Sequence, residues 1–399
     1  MRSRGAILAL VVAALLGSAV VPASGVAALS AVERAHLASH GTWARVGPMP
    51  HRRANQVMVR LADGRVLVAG GSTSNDATSK RSADIFDPRT NRWSPASPMH
   101  RARSSASSVL LPGGGVLVVG GSGTIIRHGD LFNVFLRSAE VYHPAIDRWT
   151  RVSPMHDRRL APVIELLSNG QVLVAGGYND RRGATSSELF RPRTGRWRMT
   201  DSMSVPRYLG ASAVLPNGDI LAAGGRRDPV TRRRTAERYV VGRQEWRPAG
   251  QLLGAAHPRL FRLANDSVLA IAGEGHWYSP TRQVARYALA DRAWHQVASL
   301  PTARASMSVV SLRGHPLVLG GSGPAARYTT ATGFLWRPAR QRWVLWTRMP
   351  QPLSNLSAVR LRDGSILVAG GQSKIYEGSH VPTKCAFRYF PRGVVAEDG

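Results

Sequence analysis

An all-β ring of seven four-stranded units is the fold class that the sequence predicts, and three observations predict it. A phrase close to LADGRVLVAGG (61–71) is written seven times. A second phrase, ending in Trp, follows six of the seven copies. A spare strand at the start of the chain matches a strand missing at its end. Self-similarity at a period of about fifty residues makes one supersecondary unit the building block.

The first phrase reads as a hairpin. The copies are LADGRVLVAGG, LPGGGVLVVGG, LSNGQVLVAGG, LPNGDILAAGG, LANDSVLAIAGE, LRGHPLVLGG and LRDGSILVAGG. Asp63-Gly64 is a tight-turn pair, and Val66, Leu67 and Val68 form a short apolar strand after it. The segment before the turn, from Gln56, is the partner strand. Gly70-Gly71 ends the unit where a neighbouring backbone comes close. The fifth copy keeps only Gly273 of that pair.

The second phrase reads as another hairpin. It runs ADIFDPRTNRW, AEVYHPAIDRW, SELFRPRTGRW, AERYVVGRQEW, VARYALADRAW and GFLWRPARQRW. An aromatic (Phe86, Tyr142, Phe190, Tyr239, Tyr287, Trp336) stands seven residues before each Trp. Four strands per unit follow. A lone four-stranded sheet leaves both faces bare, and radial packing buries them.

Gly-Gly, the aromatic and the late Trp at this period resemble the Kelch repeat, from about Trp43 to Pro391. The resemblance implies a seven-bladed Kelch β-propeller closed by an N-terminal outer strand. The last glycine pair is followed by CAFRYFP without a Trp, whereas Trp43 in GTWARVGPMP has no hairpin before it. The strand at Trp43 is therefore expected to complete blade seven. Closure of this kind removes exposed edges.

The expected organisation is a signal peptide over 1–28, a spacer or short helix over 29–41, one propeller over 42–395 and a tail over 396–399. MRSRGAILALVVAALLGSAVVPASGVAA has a basic start, an apolar run from Ala6 to Val21 and small residues before a cleavage site after Ala28. Secretion or export to a periplasm is thus expected. Ser30 with Glu33 makes a capping box at the head of SAVERAHLASH. Cys385 is the sole cysteine, so no intramolecular disulfide exists and packing alone must stabilise the ring.

Formal net charge is +29, and 50 of the 53 basic residues are Arg. Such a field draws anionic partners. Export, and the lack of any recognised nucleic-acid module, argue against DNA or RNA.

The loops after the glycine pairs and the segments entering each blade share one end of the ring, where functional residues concentrate. Arg53, Arg103, Arg159 and Arg207 stand seventeen residues before the first glycine, with Arg304 equivalent across a shorter turn. Ala255 and Leu353 occupy the slot in blades five and seven. A crown of arginines would grip a carboxylate or sulfate. Asp84, Glu140, Glu188 and Glu237, nine residues before the late Trp, co-occur with four of these arginines. Internal pairing is therefore the favoured reading, and Arg304, which has Phe334 in the acid's place, is the arginine expected to be free for a ligand. Blade five adds Glu274, His276, Trp277 and Tyr278 at the same end, a set suited to sugar faces and hydroxyls. Glu165, alone inside a strand of blade three, is expected to pair with one of the repeat arginines. His51, His100 and His156 precede the arginines in blades one to three; as residues of separate blades they are expected to be solvated rather than metal ligands. The apolar segment GTIIRHGDLFNVFLRS (123–138) is expected to cap the ring or offer a contact patch.

PMHRARSSASSVLLPGGGVLVVGG also resembles the Kelch domain of galactose oxidase, whose substrate-binding Arg stands at the Arg103 position. That resemblance implies a copper site needing a paired Tyr-His, a Tyr cross-linked to Cys, and a further His from another domain. Here the paired slots read Ser104-Ser105 and Ser354-Asn355, while Tyr208 and His257 sit singly in different blades. No cofactor or metal is expected. The sequence reading is a monomeric, non-catalytic binding or scaffold module that takes an anionic or carbohydrate ligand, or a protein, at the loop end. Peripheral contact with anionic surfaces fits the charge. The other reading is a sugar-active enzyme similar to the Kelch sialic acid mutarotases, which need an acid and an Arg at the channel mouth; Glu274 and Arg304 are then the pair.

Overall fold

The structure is a computed structural model that describes residues 30–73, 78–127, 130–179, 183–227, 234–254, 256–275, 279–323, 328–374 and 380–392. The expected signal peptide lies outside the described residues, as do Ala255, His276, Trp277 and Tyr278.

Seven four-stranded antiparallel sheets follow one another along the chain. Blade one consists of Val57–Arg60, Val66–Ala69, Ala83–Asp87 and Arg92–Ala96, paired in that order. The second strands of blades one to four and seven (VLVA in blade one) are buried along their whole length because both their faces meet other blades. The periodic aromatic and the late Trp are cross-strand partners: Phe86 faces Trp93 and Tyr142 faces Trp149, with ring centroids 5.1 and 5.0 Å apart. Such pairs add to sheet stability beyond the area they bury.

The core lies between blades, not inside them. Val57, Leu67 and Ile85 of blade one pack with Val116, Val118 and Trp149 of blade two, and seven such clusters run round the ring. The seventh joins Leu367 and Ala386 of blade seven to Val66 and Phe86 of blade one. Strand Gly41–Arg45 lies antiparallel to Ala386–Pro391 as the outermost strand of blade seven. Trp43 faces Tyr389 there at 5.0 Å, in the geometry of the other six pairs, and its indole N–H donates to Thr347 Oγ1 at 2.6 Å. Helix Ala31–His40 precedes this strand, with Ser30 and Glu33 forming the capping box reciprocally.

The glycine pair explains itself at blade one. The Gly71 N–H donates to Arg103 O of the next blade at 2.9 Å. Gly71 has φ 92°, and a Cβ there would lie 2.6 Å from Ala54 O. The same bond recurs at all seven junctions: Gly121 to Arg159, Gly177 to Arg207, Gly225 to Ala256, Gly273 to Arg304, Gly321 to Leu353 and Gly371 to Arg53. Ala256 is thus the blade-five equivalent of the arginine, one residue beyond the position that sequence spacing gives.

Candidate functional site

The repeat arginines do not crown an open mouth. Arg53, Arg159, Arg207 and Arg304 are fully buried and Arg103 is 1% exposed. Arg103 shows why. Its Nη1 donates to Gly120 O and Ser138 O, and its Nη2 to Ser138 Oγ and, at 2.7 Å, to Glu140 Oε1. Arg53 meets Asp84 at 2.7 Å, Arg159 meets Glu188 at 2.9 Å and Arg207 meets Glu237 at 3.0 Å. Burial drives the Glu140 carboxyl upward, but the charge and hydrogen bonds of Arg103, with the His100 N–H, outweigh it and hold Glu140 below its ordinary value. The acids are saturated from the other side as well. His100 Nδ1 lies 3.0 Å from Glu140 Oε2, and His51 and His156 sit likewise on Asp84 and Glu188. These half-exposed imidazoles each belong to their own blade's acid. Among the described residues no three His, Cys, Asp or Glu side chains are grouped to hold a metal.

Arg304 corrects the expectation of a free cation. Among the described residues it has no carboxylate partner, yet it is not open to a ligand. Its Nη1 donates to Gly320 O and Thr332 O, and its Nη2 to Thr302 and Thr332 hydroxyls. The guanidinium lies 4.6 Å from the Phe334 ring centroid, so an aromatic face stands where the other blades place an acid. Burial pushes its pKa down to about 10.

Glu274 does not pair with Arg304. Its carboxylate takes the Arg226 guanidinium, and His257 Nδ1 lies 3.4 Å away. The Arg226 Nε–H donates to His257 Nε2 at 2.8 Å, which leaves the proton of that ring on Nδ1, facing Glu274. The three groups satisfy one another. Glu165 also departs from expectation: its partner is the Ser212 hydroxyl at 2.7 Å rather than an arginine, and burial raises its pKa. The inserted segment of blade two forms a hairpin, Ser122–Arg127 with Asp130–Phe135. Phe135 packs edge-on against Tyr178, which packs on Tyr208, while Phe132 is 48% exposed.

Open charge gathers elsewhere at the loop end, on the seam of blades seven and one. A cavity of about 420 Å³ is lined by His51, Arg52, Lys80, Arg81 and Lys384 among others, with no acid among the described residues of its wall. Beside it lies a second cavity of about 360 Å³, walled by Val46, Val381, Cys385 and Phe387. Arg52 and Lys384 line both. The seam forms because the Met49 N–H donates to Lys384 O, and Arg53 N–H to Thr383 O, drawing the entry segment of blade one onto blade seven. Sequence reasoning missed this site. Its one signal was that two of the three lysines, Lys80 and Lys384, flank equivalent loops.

The family model for the Kelch motif matches residues 59–100 and 103–156, which are blades one and two. The chain is a seven-bladed β-propeller with Kelch motifs in blades one and two. No curated protein sequence matches it. This Kelch propeller superimposes on a fungal alcohol oxidase of the AA5 family, solved in complex with copper, with a TM-score of 0.68. The two share 17% identity over 88% of this chain and 76% of the oxidase. It also superimposes on YjhT, with a TM-score of 0.56 and 14% identity over 73% of this chain and 96% of YjhT. At these identities the likeness concerns the fold alone. Among the described residues, those at the two single slots do not fit a copper centre: Tyr208 is buried against Tyr178, and both His257 nitrogens face protein groups.

Proposed function

We propose that this Kelch propeller is an exported, non-catalytic binding module that takes an anionic ligand at the loop end, on the seam of blades seven and one. One observation carries the reading. Arg52, Lys80, Arg81 and Lys384 line one cavity with no carboxylate among the described residues of its wall, whereas the repeat arginines are spent on internal partners. Unneutralised cations converging on a concavity recognise sulfate, phosphate or carboxylate groups. Export rests on the basic-apolar-small order of residues 1–28.

Affinity for a polyanion alone decides nothing at a net charge of +29. The test compares two charge-reversal pairs by calorimetry with a sulfated disaccharide in low and high salt. Arg52→Glu with Lys384→Glu is expected to weaken binding at least tenfold. Arg193→Glu with Arg196→Glu, on an outer turn of blade three, changes the net charge equally and is expected to leave the affinity within about twofold. Equal losses from the two pairs would mean that only a diffuse surface field acts.

A further inference from the structure

We infer that the ligand of the seam is an anionic amphiphile: a phosphate, sulfate or carboxylate head on a single alkyl or acyl chain. The inference rests on the anion-binding reading of the same seam and names its ligand class. The two cavities share Arg52 and Lys384, so a head held by these cations stands at the entrance of the second cavity. A small hydrated anion would leave the apolar part of that second cavity's wall unmatched. The wall is mostly apolar, with Val46, Val381, Cys385 and Phe387 among its residues, and its cations Arg45, Arg52 and Lys384 stand beside them, the Arg45 guanidinium 5.9 Å from the Phe387 ring centroid. A wholly apolar ligand is equally ill matched, because it would strip water from Arg45, Arg52 and Lys384 without giving them an acceptor. A molecule with one charged end and one apolar end satisfies both cavities together. The charged end meets forked donors, and the apolar end removes its methylenes from water. A Cys thiol in the wall behaves as a small apolar group that adapts to such a chain.

The sole cysteine makes the proposal directly testable. Cys385 lines the apolar cavity, and its Sγ lies 2.9 Å from Gln351 Oε1. Inorganic phosphate, butyl phosphate, decyl phosphate below its micelle concentration, and decanol would be titrated against the full-length exported chain. Calorimetry gives the affinity, and the rate of Cys385 alkylation by iodoacetamide reports occupancy of the cavity. Decyl phosphate is expected to bind at least tenfold more tightly than butyl phosphate and decanol, and to slow alkylation at least fivefold. Val381→Trp, on the small hairpin Gln372–Lys374 with His380–Pro382 and outside the blade cores, is expected to remove the advantage of the long chain and leave inorganic phosphate binding unchanged. Decyl and butyl phosphate of equal affinity, or unchanged alkylation with decyl phosphate bound, would overturn the inference while leaving the anion-binding reading in place. Decanol matching decyl phosphate would overturn it as well. If neither the phosphates nor the sulfated disaccharide bind, both readings fall.

Discussion

Arg103 holds two blades with two different parts of itself. Its guanidinium is fastened inside blade two by Gly120 O, Ser138 and Glu140. Its carbonyl receives the Gly71 N–H of blade one. Truncating the side chain to Ala keeps the second link and leaves the buried Glu140 carboxylate without its guanidinium, held among the described residues only by His100 and the Arg101 N–H. Arg103→Ala is therefore expected to cost about 3–5 kcal/mol, read as a lower urea midpoint at unchanged slope. Arg304 offers the contrast. No carboxylate is orphaned when it is removed, and blade seven already manages with Leu353 in that slot. Arg304→Leu is expected to cost less than about 2 kcal/mol, the scale of hydrogen-bond acceptors left unmatched. Equal losses from the two variants would contradict the view that the acid decides. Arg103→Lys is expected to behave nearer to Ala than to wild type, because one ammonium cannot reproduce the fork that reaches two carbonyls and a carboxylate.

The hairpin element depends on where its glycines stand rather than on how many it has. Gly71 has φ 92° and would place a Cβ against Ala54 O, whereas Gly113 has open space around its missing Cβ. Gly71→Ala is expected to destabilise the fold by about 3 kcal/mol or more, and Gly113→Ala to be neutral or to stabilise it by up to about 1 kcal/mol. Thermal melts of the two variants would check this, and similar melts for both would refute it. The sequence spoke clearly at this scale because a repeat writes the same constraint many times. The Arg–acid brace was legible from the co-occurrence of Arg53, Arg103, Arg159 and Arg207 with acids at fixed spacing. Groups outside the repeat were not legible. Arg226, His257 and Glu274 meet once, and Arg52 meets Lys384 only because the ring brings the two ends of the chain together. Arg304 was misjudged because the absence of an acid was read as freedom, although hydroxyls, carbonyls and an aromatic face also satisfy a guanidinium.

At the scale of the whole molecule, each apolar cluster is shared by two consecutive blades, so no blade owns its core. Removing everything before Pro48 takes Trp43 from Tyr389 and uncovers the outer edge of blade seven. The truncated chain is expected to lose stability cooperatively round the ring, with a melting midpoint well below that of the chain beginning at residue 29. An unchanged midpoint with unchanged strand content would show that Gly41–Arg45 is dispensable. The pairing of that strand with Ala386–Pro391 also governs the order of assembly. Nearest-neighbour contacts let blades one to six stack as each is synthesised. The final sheet must wait for a partner from nearly the far end of the polypeptide, and such a non-local closure is slow. Through that interval strand Ala386–Pro391 has one edge unpaired, a template for another molecule at the same stage. The protein is thus most vulnerable to aggregation just before its ring shuts, and a helper that shields this one edge would protect it better than general support of its blades.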